Sequence, residues 1–102
     1  MDNTPIYDIA LKFETELFVS AFGEDFEKSI MSITGEKSGV GSLCTASHTV
    51  NINNTPVIPD DEVIENMRRT VFEEVSKGFS ERSDVEVRCT KFVGITSIKR
   101  KN

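Results

Sequence analysis

The chain has 102 residues and a formal net charge of −5, with 37% hydrophobic and 28% charged residues. This balance is typical of a globular domain and excludes a disordered tail, which holds too few apolar residues to build a core. The length predicts one α+β domain that spans residues 1–102.

No targeting or membrane segment is predicted. The N-terminal residues lack the basic and apolar regions of a secretory signal, and no apolar run approaches the length of a membrane-spanning helix. We therefore expect a cytoplasmic protein with no membrane partner. In that compartment Cys44 and Cys89 are expected to be free, buried thiols. Two cysteines and the single histidine, His48, do not make a structural zinc site, so no metal or cofactor is predicted.

The first segment, residues 5–22, shows two competing periodicities. Thr4 and Pro5 predict a helix start, and Gly23 predicts a helix end. Apolar residues also recur at helical spacing, namely Ile6, Ile9, Ala10, Phe13, Leu17 and Ala21. A second set follows the strand period of two, namely Ile9, Leu11, Phe13, Leu17 and Val19. Because Ala, Leu, Lys and Glu favour helices, we predict a helix and keep the strand as the alternative.

The next elements are predicted to be strands joined by a glycine-rich loop. A short strand is expected over Ser29–Thr34 and a flexible loop over Gly35–Gly41. The strand over Ser42–Asn53 alternates cleanly. Its even-numbered residues from Cys44 to Ile52 face one way, and the odd-numbered residues are all polar, which predicts one packed and one hydrated face.

A second helix is predicted from Asp60, its N-cap, to Gly78, with Asp61 and Glu62 in the first turn. Its apolar stripe consists of Val63, Ile64, Met67, Val71, Phe72 and Val75. Asp84 opens the last strand, whose apolar face is predicted to hold Val85, Val87, Cys89, Val93 and Ile95. Lys91 interrupts that face, which indicates a bulge or an inward-facing lysine.

These elements predict an α+β fold of order α-β-β-α-β, a small antiparallel sheet with two helices on one face. If the first segment is a strand followed by a helix, the order becomes β-α-β-β-α-β. That order is the ferredoxin-like arrangement and is our alternative.

The C-terminus is basic in an otherwise acidic chain. Residues 88–102 carry five positive charges and no acid, namely Arg88, Lys91, Lys99, Arg100 and Lys101. Three interpretations are open. The residues form a solvated edge strand with a frayed tail at 98–102, they pair with acids of this chain or of a partner, or they contact nucleic acid phosphates.

An anion site is the alternative function. The Gly35–Gly41 loop carries Lys37 and Ser38, and its backbone N–H groups are of the kind that surround a phosphate. Together with Arg88, Lys91 and Lys99 it predicts a binder of a nucleotide, a small phosphate ligand or nucleic acid.

The principal prediction is a non-catalytic protein-binding regulator, inhibitor or accessory factor that acts as a homo-oligomer, most simply a dimer. The contacts to its protein partner are assigned to the acidic helix residues Glu62, Glu65, Glu73 and Glu74. The oligomer interface is assigned to Phe18, Phe22 and Phe26, which recur every four residues. A Cys89–His48 nucleophile pair is the enzyme alternative, but the alternation predicts that both are buried, so no catalytic residue is assigned.

Overall fold

The computed structural model describes residues 4–20, Lys28 and residues 43–102. Residues 4–20 and 43–102 form, in chain order, the strands β1 (Tyr7–Val19) and β2 (Leu43–Thr55), the helix α1 (Asp61–Gly78) and the strand β3 (Val85–Arg100). β1 lies between the other two strands and pairs with each of them in antiparallel direction. α1 packs on one face of this sheet, mainly against β3 and to a smaller extent against β1.

The helix predicted for residues 5–22 is wrong, because Tyr7–Val19 form the central strand. Six alternate side chains of β1 are at most 1% exposed, namely Ile9, Leu11, Phe13, Thr15, Leu17 and Val19. Helix propensities differ by less than about 1 kcal/mol per residue, whereas burying a large apolar side chain contributes roughly 1.5–3 kcal/mol. The free energy gained by burying these alternate side chains of β1, which lies between β2 and β3, therefore outweighs the local preference for a helix.

The α+β class agrees with the prediction, but the predicted order α-β-β-α-β does not. The described residues give β-β-α-β, with one helix on the sheet instead of two. The first segment is a strand, as in the β-α-β-β-α-β alternative, whose first helix and second strand fall on residues outside the described ranges. The predicted strand Ser29–Thr34 and the loop Gly35–Gly41 lie there too.

The predicted strand β2 and helix α1 are confirmed, except that Val63 of the predicted apolar stripe is 43% exposed. Cys44 and Ala46 on the inner face of β2 are each 4% exposed, while Thr45 and Ser47 between them are exposed. At the start of α1 the Asp60 Oδ1 atom accepts a hydrogen bond from the Val63 N–H group at 2.9 Å. The residues of α1 that pack against the buried core are Ile64, Met67, Val71 and Val75.

The core consists of two apolar clusters on the α1 face of the sheet. One surrounds Ile9, Leu11 and Phe13, and the other contains Leu17, Val19, Cys44 and Ala46. Two buried threonines lie opposite each other on β1 and β3, Thr15 and Thr90, and their Oγ1 atoms are 2.7 Å apart. The Arg68 Nη1 atom of α1 donates to the Thr90 carbonyl oxygen at 3.2 Å, which fastens the helix to β3.

The predicted inner face of β3 is correct at Val85, at Val87 and at Ile95, which pairs with the buried Leu11, but it is wrong at Cys89. Val85 and Val87 pack against the core, but three shifts of register leave Arg88, Val93 and Thr96 without a partner on β1. An extra residue reverses which side chains face inward. Consequently Thr90 and Phe92 face the core, and Cys89 and Lys91 pair in register with Glu16 and Glu14, on the opposite face. Lys91 is thus not an inward-facing lysine.

The tail predicted to fray at residues 98–102 is instead held against β1. Ile98, Lys99 and Arg100 belong to β3 and pair with Ile9, Asp8 and Tyr7. The Lys101 N–H group donates to the Ile6 carbonyl oxygen at 2.8 Å, and the Asn102 side chain bonds Thr4 and Ile6. The backbone pairing of the tail therefore outweighs the disorder expected of a chain end.

Candidate binding surfaces

The face of the sheet opposite α1 is uncovered by any described element, and we call it the open face. Its central row comes from β1 and consists of Asp8, Ala10, Lys12, Glu14, Glu16 and Phe18. β2 contributes exposed Thr, Ser and Asn side chains, and β3 contributes Cys89, Lys91 and Lys99. The open face carries both acidic and basic residues, so it does not present charge of a single sign.

Several basic residues of the C-terminal run 88–102 lie next to acids of the sheet. Lys91 Nζ is 3.8 Å from Glu14 Oε2, and Lys101 Nζ is 3.8 Å from Asp8 Oδ2. Lys99, which is exposed, lies opposite Asp8 in register. These exposed pairs contribute little stability, about 0–1 kcal/mol each, but they cancel much of the local positive charge. Of the three interpretations of the basic C-terminus, this geometry favours pairing with acids of the same chain.

Two of the five residues predicted for the anion site, Lys37 and Ser38, lie outside the described ranges. Among the other three, the Nε atom of Arg88 is 3.9 Å from Glu86 Oε2, and the Arg88 guanidinium lies 4.9 Å from the centre of the Phe18 ring. A guanidinium that stacks on an aromatic ring and lies beside a carboxylate is a poor phosphate ligand unless both contacts break.

The aromatic oligomer interface is described only at Phe18. This residue lies in β1, so helical spacing does not connect it to Phe22 and Phe26, which fall outside the described residues. Its ring is partly covered, on the open face, by Arg88.

The Cys89–His48 pair does not exist, because the two residues lie on opposite faces of the sheet. Cys89 is exposed on the open face, where its Sγ atom lies 3.6 Å from Glu16 Oε2. His48 pairs in register with the buried Phe13 on the inner face. The other thiol, Cys44, is buried, and burial raises its pKa, which makes it a poor nucleophile. The prediction that Cys89 is buried is wrong for the same reason as that for Lys91, namely the bulge at Arg88.

The acidic residues of α1 do not share one environment. Glu62, Glu73 and Glu74 are exposed, whereas Glu65 binds the Arg68 guanidinium, with 2.7 Å between Oε1 and Nη2. The hydrogen bond from Arg68 holds the pKa of Glu65 below its usual range. Glu65 therefore positions Arg68 against β3, and the acids left for a partner are Glu62, Glu73 and Glu74.

An apolar groove runs between α1 and β2. It is lined by Val50 of β2 and by five residues on one side of α1, namely Val63, Asn66, Met67, Thr70 and Val71. It exists because α1 lies over β3 and β1 and leaves the inner face of β2 partly uncovered by described residues. Val63 is 43% exposed there. Glu62 and Glu74 lie four residues from Asn66 and Thr70, one helical turn away, so acidic side chains border the groove at both ends.

The outer edge of β2 forms the last surface. Within the described ranges, β2 has a neighbouring strand only at β1. From Leu43 to Ile52 it pairs without a bulge, and the single irregularity comes near its end, where Asn54 has φ 57° and donates to Asp8 Oδ1. Every residue from 38 to 59 is uncharged apart from His48, in a chain of which 28% is charged. Such an edge is a template for pairing with another strand.

His48 is the one titratable group of this region that changes charge near neutral pH. Its Nε2 atom is buried and has no hydrogen-bond partner among the described residues, and burial lowers the pKa of the imidazole. The folded chain therefore favours neutral His48, while the unfolded chain binds a proton at about pH 6.5.

We expect the free energy of unfolding to be highest above about pH 7.5. It should decrease as the pH falls through about 6.5, because only the unfolded state then takes up the proton, and it should level off below the lowered pKa of the folded state. Urea unfolding at a series of pH values measures this. The His48→Gln variant should lack the decrease between pH 7.5 and 6. An equal decrease in that variant would assign it to other groups.

Comparisons with protein families, curated proteins and solved structures found no match to this chain. Within the described ranges, no helix is long and apolar enough to cross a bilayer.

Two of these surfaces, the groove and the β2 edge, are not among the residues assigned from sequence. The uncharged run at residues 38–59 is a sequence signal for the edge. The groove has no such signal, since it depends on which strands α1 covers.

Proposed function

We propose that this chain is a non-catalytic protein-binding domain, and that its binding site is the groove between α1 and β2 with its acidic border. The partner segment would bring an apolar side chain into the groove and lysine or arginine residues toward Glu62 and Glu74. A role as a regulator, inhibitor or accessory factor fits such a site.

The observation that carries this proposal is the coincidence of exposed apolar lining and exposed acids on one side of α1. Val63 is 43% exposed beside Met67 and Val71, which are partly buried. An apolar centre with a charged border is the usual composition of a protein-binding site. The acids would raise the association rate and select a basic partner, and the groove would supply most of the affinity.

The alternative as an anion binder has weaker support. Arg88, Lys91 and Lys101 lie beside Glu86, Glu14 and Asp8, and the whole chain carries a net charge of −5. A phosphate would have to displace these carboxylates and approach against the long-range field.

Site-specific photocrosslinking in cells tests the proposal. A benzophenone amino acid at Thr70, an exposed residue of the groove lining, should give a covalent adduct with another protein. The same group at Lys99, exposed on the open face, is the matched control and should give little. Glu62→Gln with Glu74→Gln should lower the yield at Thr70. No adduct at Thr70, or equal yields at both positions, would rule out the groove as the site.

A further inference from the structure

We infer that two copies of this chain associate through the outer edge of β2, so that the three described strands of each copy join in one continuous antiparallel sheet. The occupant of this edge is thus a second copy. The inference extends the proposed protein-binding function to a second surface but does not use the groove.

Electrostatics point to this edge. Each copy carries a net charge of −5, so two copies repel each other at long range. The electrostatic free energy opposing contact between two copies is lowest where the surface carries no charged side chains. Leu43–Thr55 is such a surface, because it contains no Lys, Arg, Asp or Glu over its whole length.

The strand is also complementary to itself. In an antiparallel pair around a two-fold axis perpendicular to the sheet, residues of the inner face meet residues of the inner face. The inner set is Cys44, Ala46, His48, Val50 and Ile52. The outer set is Thr45, Ser47, Thr49, Asn51 and Asn53. Apolar or histidine side chains would therefore meet one another on one face, and hydroxyl and amide groups would meet on the other, with no like charges opposed.

The other edge of the sheet is unsuited to the same contact. β3 has three register shifts, at Arg88, Val93 and Thr96, and each interrupts a straight row of backbone groups. It also carries Arg88, Lys91, Lys99 and Arg100, which would face the same charges in a second copy. Bulges and basic residues are the devices that keep an edge strand from pairing. β2 lacks both from Leu43 to Ile52.

The expected dimer has both α1 helices on the same face of the joined sheet, since the two-fold axis does not exchange the faces. α1 lies over β3 and β1, so the two β2 strands, one from each copy, would separate the helices from direct contact. The two grooves would then face each other and stay open. The dimer interface is accordingly the β2 edge, not Phe18.

The test is the mass of the purified full chain in solution, by sedimentation equilibrium and native mass spectrometry. The wild-type chain should be a dimer. Ser47→Lys with Thr49→Lys changes two exposed residues of β2 and should weaken the dimer roughly tenfold, since like charges then oppose each other across the axis. Val93→Lys puts a lysine at an exposed bulge of β3 and is the control that should leave dimerisation unchanged.

A charge-reversal experiment separates a loss of pairing from a loss of folding. Chains with Ser47→Glu and Thr49→Glu should also dimerise weakly alone, and an equal mixture of the lysine and glutamate variants should form a mixed dimer. A wild-type monomer, or a dimer that ignores these substitutions, overturns the inference. If the chain is a monomer but still gives the Thr70 adduct, the dimer is ruled out and the proposed protein-binding function stands. If the chain is a dimer but gives no adduct at Thr70, the groove is ruled out as a binding site and the dimer stands.

Discussion

Phe13→Ala is expected to lower the free energy of unfolding by about 3–5 kcal/mol. Phe13 is fully buried in the middle of β1, and its ring centre lies 5.4 Å from that of Phe92 at an interplanar angle of 54°. Truncation removes this tilted aromatic contact and leaves a cavity between Leu11 and the α1 residues that pack there. Domains of this size have a total stability of roughly 5–15 kcal/mol, so the variant should lose a large fraction of its stability.

Urea unfolding followed by far-ultraviolet circular dichroism is the suitable measurement, because the chain contains no tryptophan. Phe13→Leu, which keeps most of the buried volume, should cost clearly less than Phe13→Ala. Val93→Ala changes a residue that is 48% exposed on the neighbouring strand and should alter stability by at most about 0.5 kcal/mol. A loss below about 1 kcal/mol for Phe13→Ala would contradict the placement of β1 at the centre of the core.

The sequence contains the strand pattern of β1 but does not decide for it. Ile9, Phe13 and Leu17 satisfy the helical and the strand period at once, and local propensity favours the helix. The deciding term is non-local, since β1 is stable as a strand only because β2 and β3 lie on both of its sides. By contrast, β2 and α1 each show one period only, and their bounds are close to those predicted.

The faces of β3 could not be derived from alternation. Regular alternation places Cys89 with Val85 and Val87, but the unpaired Arg88 turns Cys89 to the open face and Thr90 to the core. Lys91 in the apolar row was the visible sign of a break in the period. It did not tell where the extra residue lies, because a bulge is fixed by pairing with β1 and not by the local sequence.

The candidate sites also include residues that the sequence predicts and contacts that it does not. The exposed acids of α1 could be assigned from sequence, because helical periodicity places Glu62, Glu73 and Glu74 on the outside. The ion pair between Glu65 and Arg68 is known only from the three-dimensional structure. The groove depends on the lateral position of α1, over β3 and β1 instead of β2. That position follows from tertiary contacts, among them the bond from Arg68 to the Thr90 carbonyl, which no spacing encodes.

The paired hydroxyls beneath this contact provide the second large prediction, a double-mutant cycle. Thr15 is fully buried and Thr90 is 3% exposed, and their Oγ1 atoms lie 2.7 Å apart. Thr15→Val or Thr90→Val alone leaves the other hydroxyl buried without its partner, which should cost about 1–3 kcal/mol. The double variant has the same shape and no orphaned hydroxyl, so its stability should lie near that of the wild type.

Urea unfolding of the four proteins gives the coupling energy, which should favour the double variant over the sum of the two single losses by about 2–6 kcal/mol. Thr96→Val is the matched control, because the Thr96 hydroxyl is exposed and bonds the Ala10 carbonyl at 3.3 Å. Single losses that simply add would show that the two hydroxyls do not depend on each other. Because Arg68 bonds the Thr90 backbone and not its side chain, the double variant should keep α1 over β3, and its groove should still give the crosslink at Thr70. A double variant that is stable but has lost the crosslink would show that the threonine pair also sets the position of α1 and so keeps the groove open.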